Sequence, residues 1–268
     1  MLTMNQFLFN LFQTTLTQLL GVLGIFFVFG YLLYFVQNKT QQIYRNTIGW
    51  KGILWTAWIG TPIHELGHVV FAKIFGHKIN DIALFRPNKE TGNLGYVNHS
   101  YGRFALWGRI GNFFIGGAPL IFGSIFLVLM FRFLLPNGQG IFVPIFSDLS
   151  TYQLIIKSIT NTLGALFAID NLKSWPFWLF LYMSFCIASH LAPSKEDQKG
   201  MYKGLIWIIL LLTITNAIFL RFNVDITNFI FKINQFLGIF IAIFTYALVI
   251  SLLHLLFASI FLFPFRKK

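Results

Sequence analysis

Residues 51–76 read KGILWTAWIGTPIHELGHVVFAKIFG. The run is long and apolar enough to cross roughly 30 Å of hydrocarbon, for which a helix needs about 20 residues. Lipid leaves an unpaired backbone group without a partner, so such a run must be helical. Runs of the same kind lie at about 14–36, 105–134, 174–192, 202–220 and 236–263. With 56% apolar and only 10% charged side chains in 268 residues, against about 25% charged in a soluble domain, the sequence predicts an all-α polytopic membrane protein. About six transmembrane helices are expected, forming one integral membrane domain over 1–268.

The polar breaks between the runs must reach water or be covered by protein. Between the second and third, residues 78–103 set an Ile82-Ala83-Leu84-Phe85 run and a Leu94 to Val97 run on either side of Pro87-Asn88-Lys89-Glu90-Thr91-Gly92-Asn93. Turn formers flanked by strand formers predict a β-hairpin, with strands near 79–86 and 94–99. The stretch 135–173, with Pro136, Gly138, Pro144 and Asp148, reads as a loop followed by an amphipathic piece at 151–168 that lies at the interface. One cysteine, Cys186, excludes a disulfide scaffold or a cysteine-rich zinc module. The first 38 residues carry no charge, so the basic opening of a secretory signal is missing and the N-terminus is expected to be retained.

The net charge is +12, from 20 Lys and Arg against 8 Asp and Glu. Scattered singly between apolar runs, these cations do not form the basic face of a nucleic-acid binder. They act instead as a topology signal. With six alternating crossings, and counting Lys73, Arg109 and Lys203 at adjacent helix ends, 12 of the 20 fall on the side of the N-terminus, the hairpin, the 193–201 loop and the tail Arg266-Lys267-Lys268. Both termini are therefore expected in the cytoplasm, in a bacterial inner membrane.

Within the second run, Thr61-Pro62-Ile63-His64-Glu65-Leu66-Gly67-His68 contains the pattern H-E-x-x-H. On a helix His64 and His68 stand one turn apart on one face, so both imidazoles reach one zinc ion, with Glu65 beside them to polarise water. Six His and three Glu predict only about 0.0015 chance matches to this pattern. A carboxylate at membrane depth also costs at least about 2.5 kcal/mol unless it is partnered or hydrated. The competing reading makes the histidines interhelical hydrogen-bonding groups and Glu65 an interfacial acid. Pro62 removes a helix donor and favours a bend, and Gly67 permits close approach of another backbone.

Two histidines leave catalytic zinc one protein ligand short. Ser189-His190-Leu191-Ala192-Pro193-Ser194-Lys195-Glu196-Asp197 ends the fourth run, and either Asp197 or His190 can turn back toward a metal there. The alternative for Asp197 is a solvated acid or a cap of the fifth helix.

At this point the chain resembles the intramembrane zinc metalloproteases of the site-2 protease class, peptidase family M50. His64, Glu65 and His68 match the family's first motif. Pro193 and Asp197 resemble its N-x-x-P-x-x-x-x-D-G-like segment, with His190 in place of Asn, a shorter Pro-to-Asp interval and Gln198 in place of Gly. Gly116-Gly117-Ala118-Pro119 resembles the small-residue segment of the middle helix. The resemblance covers about 50–200, which it implies is the catalytic core, with 1–49 and 201–268 as accessory spans. It implies one Zn2+ per chain held by His64, His68 and Asp197, with His190 as the alternative third ligand or a supporting residue. It also implies a transmembrane protein or peptide as substrate, extended against the hairpin. Adding an unwound substrate to a strand edge satisfies its freed backbone groups.

Around this centre Asn112, Tyr96 and His99 are candidate substrate-binding residues, Asn112 also fitting interhelical packing beside small residues. His77 and His99 flank the hairpin as interfacial side chains, and His254 reads as an interhelical hydrogen bonder. The expected activity is hydrolysis of membrane-protein peptide bonds with Glu65 as the acid–base group. A zinc transporter, a sensor or a non-proteolytic relative is the other class. Transport predicts ionisable groups spread along a path over several helices, whereas here they concentrate at the second run and the end of the fourth.

Overall fold

The computed structural model describes residues 3–135, 151–222, 224, 226–227 and 234–265. The expected loop around Pro136, Gly138, Pro144 and Asp148, and the basic tail at 266–268, lie outside the described residues. Helix α1 (Met4–Thr47) opens on a capping box in which Thr3 and Gln6 each satisfy the other's backbone N–H. At about 1.5 Å per residue it is roughly 66 Å long, so its polar end from Gln37 onward continues the helix past the apolar stretch. After a turn at Gly49, whose φ is 75°, α2 (Trp50–Ile74) runs on through Pro62.

Strands β1 (Lys78–Ala83) and β2 (Tyr96–Ser100) pair antiparallel, Ile79 opposite His99 and Ala83 opposite Tyr96, with a register shift at Asn80. The strands are shorter than the expected 79–86 and 94–99. Beyond Ala83 only Arg86 N–H to Leu94 O (2.7 Å) and Asn88 N–H to Asn93 O (2.8 Å) continue the pairing. The Asn88 carboxamide accepts from the Glu90 and Thr91 N–H groups to make the turn.

The expected run 105–134 is two helices, α3 (Leu106–Gly116) and α4 (Ala118–Leu134), bent by 56°. Gly116 and Gly117 relax the backbone there, and Pro119 in the first turn of α4 has no N–H to continue the α3 ladder. Then come α5 (Thr151–Leu166), the single turn α6 (Ile169–Leu172), α7 (Trp175–Ala188), α8 (Lys195–Arg221), α9 (Asn234–Phe261) and a 3-10 turn at Phe263–Phe265. Buried Leu154, Ser158, Thr162 and Leu166 form one stripe of α5 at four-residue spacing, and that helix packs on α9.

Among the described residues α1, α8 and α9 are long and apolar enough to cross a membrane, and a fourth crossing follows if the bent α3–α4 pair counts as one. Six simple alternating crossings do not fit the packing. Alternation makes α1 parallel to α8 and antiparallel to α9. Instead Thr15 and Gln18, early in α1, meet Asn216, late in α8, while Gln37 meets Ala192 just before α8 begins (2.9 Å). Along α9, Phe26 meets Phe244 edge-on and Phe29 meets it at a tilt, and Tyr44 meets His254. Helix α1 is thus antiparallel to α8 and parallel to α9, so the ends of the fold at Met4 and Phe261 point in opposite directions, not the same one. Hydropathy counts runs but does not see which of them turn back.

The main core joins α1, α2, α4, α7 and α9 through Leu33, Ile63, Leu127, Phe131, Phe180 and Phe244. It leaves the lower half of α2 free to meet α3, α8 and the hairpin.

Candidate metal centre

His64 and His68 project from one face of α2, their rings 4.9 Å apart. His64 Nδ1 lies 2.7 Å from the His190 carbonyl and His68 Nδ1 2.8 Å from the Ile115 carbonyl. A carbonyl only accepts, so each Nδ1 carries a proton, and a neutral ring then presents its lone pair at Nε2. Both Nε2 atoms meet Asp197, with His64 Nε2 3.4 Å from Oδ2 and His68 Nε2 3.2 Å from Oδ1. The three groups keep a ligand atom within 4.8 Å of one another. Two donors each about 2.0–2.2 Å from a tetrahedral zinc stand about 3.3–3.6 Å apart, close to the two His–Asp197 distances. With both rings neutral, two Nε2 lone pairs and a carboxylate converge, and a cation held among them balances the charge. The donor set fits zinc, with its imidazole tautomers held by backbone carbonyls as bound histidines require.

No family model, curated protein or solved structure matches the chain. The centre is therefore read from its own geometry.

Asp197 occupies the third position of α8. Its carboxylate accepts from Ser194 N–H (2.7 Å) while Ser194 Oγ accepts from Asp197 N–H (3.2 Å), a capping box. The cap and the site-facing role, alternatives in the sequence, coexist in one side chain: Oδ2 accepts from Ser194 N–H and also faces His64, while Oδ1 faces His68. Glycines bring the elements together. A Cβ at Gly116 would collide with the Asp197 carbonyl and the Met201 side chain, and one at Gly204 with the Phe113 backbone. Side-chain-free contact there seats the first turn of α8 against the end of α3, whose Ile115 carbonyl holds His68. Gly67 meets the Ala118 carbonyl, where a Cβ would stand 3.2 Å away.

His190 is buried, but its ring stands outside the converging donor set. Nδ1 lies 3.1 Å from the Cys186 carbonyl one turn back, and the ring packs on Gly60. It meets the centre through its carbonyl, and its ring is not among the three groups whose ligand atoms converge.

A cleft of about 570 Å3 opens on the centre and is lined by His64, Glu65, His68 and Asp197 together with Tyr96, His99 and Asn112. Glu65 is buried against the hairpin, where a Cβ at Gly95 would stand 3.0 Å from its Cγ. Tyr96 donates its hydroxyl proton to Asp81 (2.8 Å). His77 is buried, not interfacial. Its Nε2 donates to Gly108 O (2.8 Å), so its Nδ1 accepts from His99 Nδ1 (2.7 Å). Burial first, and then the neighbouring His77, push the His99 pKa down from 6.5 to about 4. His254 bridges helices as expected, between the Tyr44 hydroxyl (2.8 Å) and Ser189 Oγ (2.9 Å), stacked on Phe185.

The sequence did not reveal the carbonyls of Ile115 and His190, which have no side-chain signature, or Gly95, one of many glycines. The pattern Ser194-x-x-Asp197 was a legible sign that Asp197 begins a helix.

Proposed function

We propose that the protein is a zinc-dependent intramembrane endopeptidase, similar to the site-2 protease class, that hydrolyses peptide bonds of membrane-protein substrates in a bacterial inner membrane. The observation that carries this reading is the convergence of His64 Nε2, His68 Nε2 and the Asp197 carboxylate next to Glu65, in one cleft. Those three residues would hold one Zn2+ per chain, which supplies a Lewis acid when bound. Glu65 takes a proton from the attacking water and returns it to the leaving amine. Glu65 lines the cleft with its side chain packed against Gly95. Asn112, Tyr96 and His99 line the space for the substrate.

The cleft borders β2 and the 92–95 turn, not β1. The substrate segment is therefore extended along the outer edge of β2, which has no strand partner among the described residues, and that edge supplies the donors and acceptors an unwound helix has lost.

The test is Glu65→Gln in proteoliposomes with a transmembrane reporter. The variant is expected to keep one zinc per chain and to lose cleavage. Full cleavage by the variant refutes the role of Glu65. Wild type that binds zinc without cleaving any reporter makes the protein a transporter, a sensor or a non-proteolytic relative.

A further inference from the structure

We infer that Gln37 and Gln41, on the polar end of α1, are positioning residues that hold His64 in its ligand tautomer. The inference rests on the zinc reading above and gives the accessory helix α1 a part in it.

Gln37 and Gln41 stand one helical turn apart and meet the turn that leaves α7. Gln41 Nε2 donates to Ser189 O (3.2 Å), and Ala192 N–H donates to Gln37 Oε1 (2.9 Å). The residue between these clamped peptides, His190, offers the carbonyl that receives His64 Nδ1–H at 2.7 Å. A third tie comes from α1 through α9, where Tyr44 reaches Ser189 Oγ by way of His254. Without these ties the 189–193 turn keeps the α7 bonds of Ser189 N–H to Phe185 O and His190 N–H to Ile187 O, the Gln198 bond to Pro193 O and the core packing of Leu191. Ser189 O and Ala192 N–H, on either side of His190, lose these partners. With their polar groups unpaired, the peptides flanking His190 can turn toward other partners and carry its carbonyl with them. If the His190 carbonyl swings away, the His64 imidazole is free to carry its proton on Nε2, the atom that faces Asp197. Metal affinity then falls, because the ligand nitrogen no longer presents its lone pair.

The two glutamines do opposite chemistry, so one substitution separates them. Glutamate keeps the acceptor that Gln37 offers Ala192 and removes the donor that Gln41 offers Ser189. Full-length protein in nanodiscs is measured for zinc affinity, for the electronic spectrum of its cobalt form, for melting without metal, and for His64 tautomer by imidazole nitrogen shifts without metal. Gln41→Glu and Gln37→Met are expected to bind zinc about 10–100-fold more weakly, the usual effect of losing an orienting partner. Both should show a mixed His64 tautomer, while Gln37→Glu stays near wild type in affinity and tautomer. Gln41→Met serves if Gln41→Glu does not fold. Wild-type affinity and a single His64 tautomer in both Gln41 variants overturn the inference. Wild type that binds no zinc overturns the zinc reading instead, and the metal-free tautomer measurement still decides whether the glutamines position His64.

Discussion

At the scale of single residues the centre is economical, and Asp197 shows it best. One carboxylate caps α8 and faces both histidines. Asp197→Asn keeps an oxygen for Ser194 N–H but loses the anion. Removing an orienting partner already costs about 10–100-fold, so losing the ligand itself is expected to weaken zinc by about 100-fold or more, with little change in melting. Asp197→Ala removes the cap as well and should cost about 1 kcal/mol more of stability. His190→Ala keeps its carbonyl and should retain one zinc per chain. Metal content and denaturation of the three variants, side by side, check the assignment, and loss of zinc in His190→Ala alone would reverse it. His99 adds a pH signature. Its folded pKa of about 4 lies below the ordinary 6.5, so between those values the unfolded chain binds a proton that the folded one refuses. Stability is expected to fall as pH drops from 6.5 toward about 4. His99→Gln should flatten that part of the stability curve measured on metal-free protein.

At the scale of elements, contact between α3 and α8 through Gly116 and Gly204 sets where Asp197 sits. Gly116→Val forces the first turn of α8 off α3, with an overpacking cost of about 1–3 kcal/mol and weaker zinc binding. Gly24→Ala is the control, since nothing stands within 4 Å of its added Cβ; removing a mid-helix glycine there should stabilise by about 0.5–1 kcal/mol. Melting and zinc titration of both variants test the contrast, and equal zinc affinity in Gly116→Val would show that the helix contact does not set the ligand. The sequence was informative here where chemistry is local. The spacing of His64, Glu65 and His68 sufficed to put them on one helix face, and the cluster at 87–93 marked the hairpin turn. The break at Gly117 stayed hidden because hydropathy is continuous across 105–134. The carbonyls of Ile115 and His190 stayed hidden because any residue supplies one. Asp197 and His190 were both open from spacing, and only the direction in which α8 starts separates them.

For the whole molecule the decisive question is which way α1 runs. Its meetings with Asn216 near the end of α8, and with Phe244 then His254 along α9, make it antiparallel to the first and parallel to the second. If α1 and α9 each cross the bilayer once, the two chain ends face opposite sides. The number of crossings between α1 and α8 is then even. Either α5 crosses as well, or one of α2, the bent α3–α4 pair and α7 enters and leaves by the same face. The start of α8, with Lys195, Lys199 and Lys203, and the end of α9 then share one side, which the positive-inside bias leads one to expect is the cytoplasmic one. The expected outcome is a C-terminal tag accessible from the cytoplasm and an N-terminal tag accessible only from outside. The single native cysteine, Cys186, is buried, so cysteines placed one at a time at Asn38, Asn88 and Lys195 can be labelled against it in sealed vesicles. Labelling of Asn38 and Lys195 positions from the same side is required by the clamp of Gln37 on Ala192. Labelling from opposite sides, together with two cytoplasmic tags, would restore six alternating crossings and separate α1 from the metal centre.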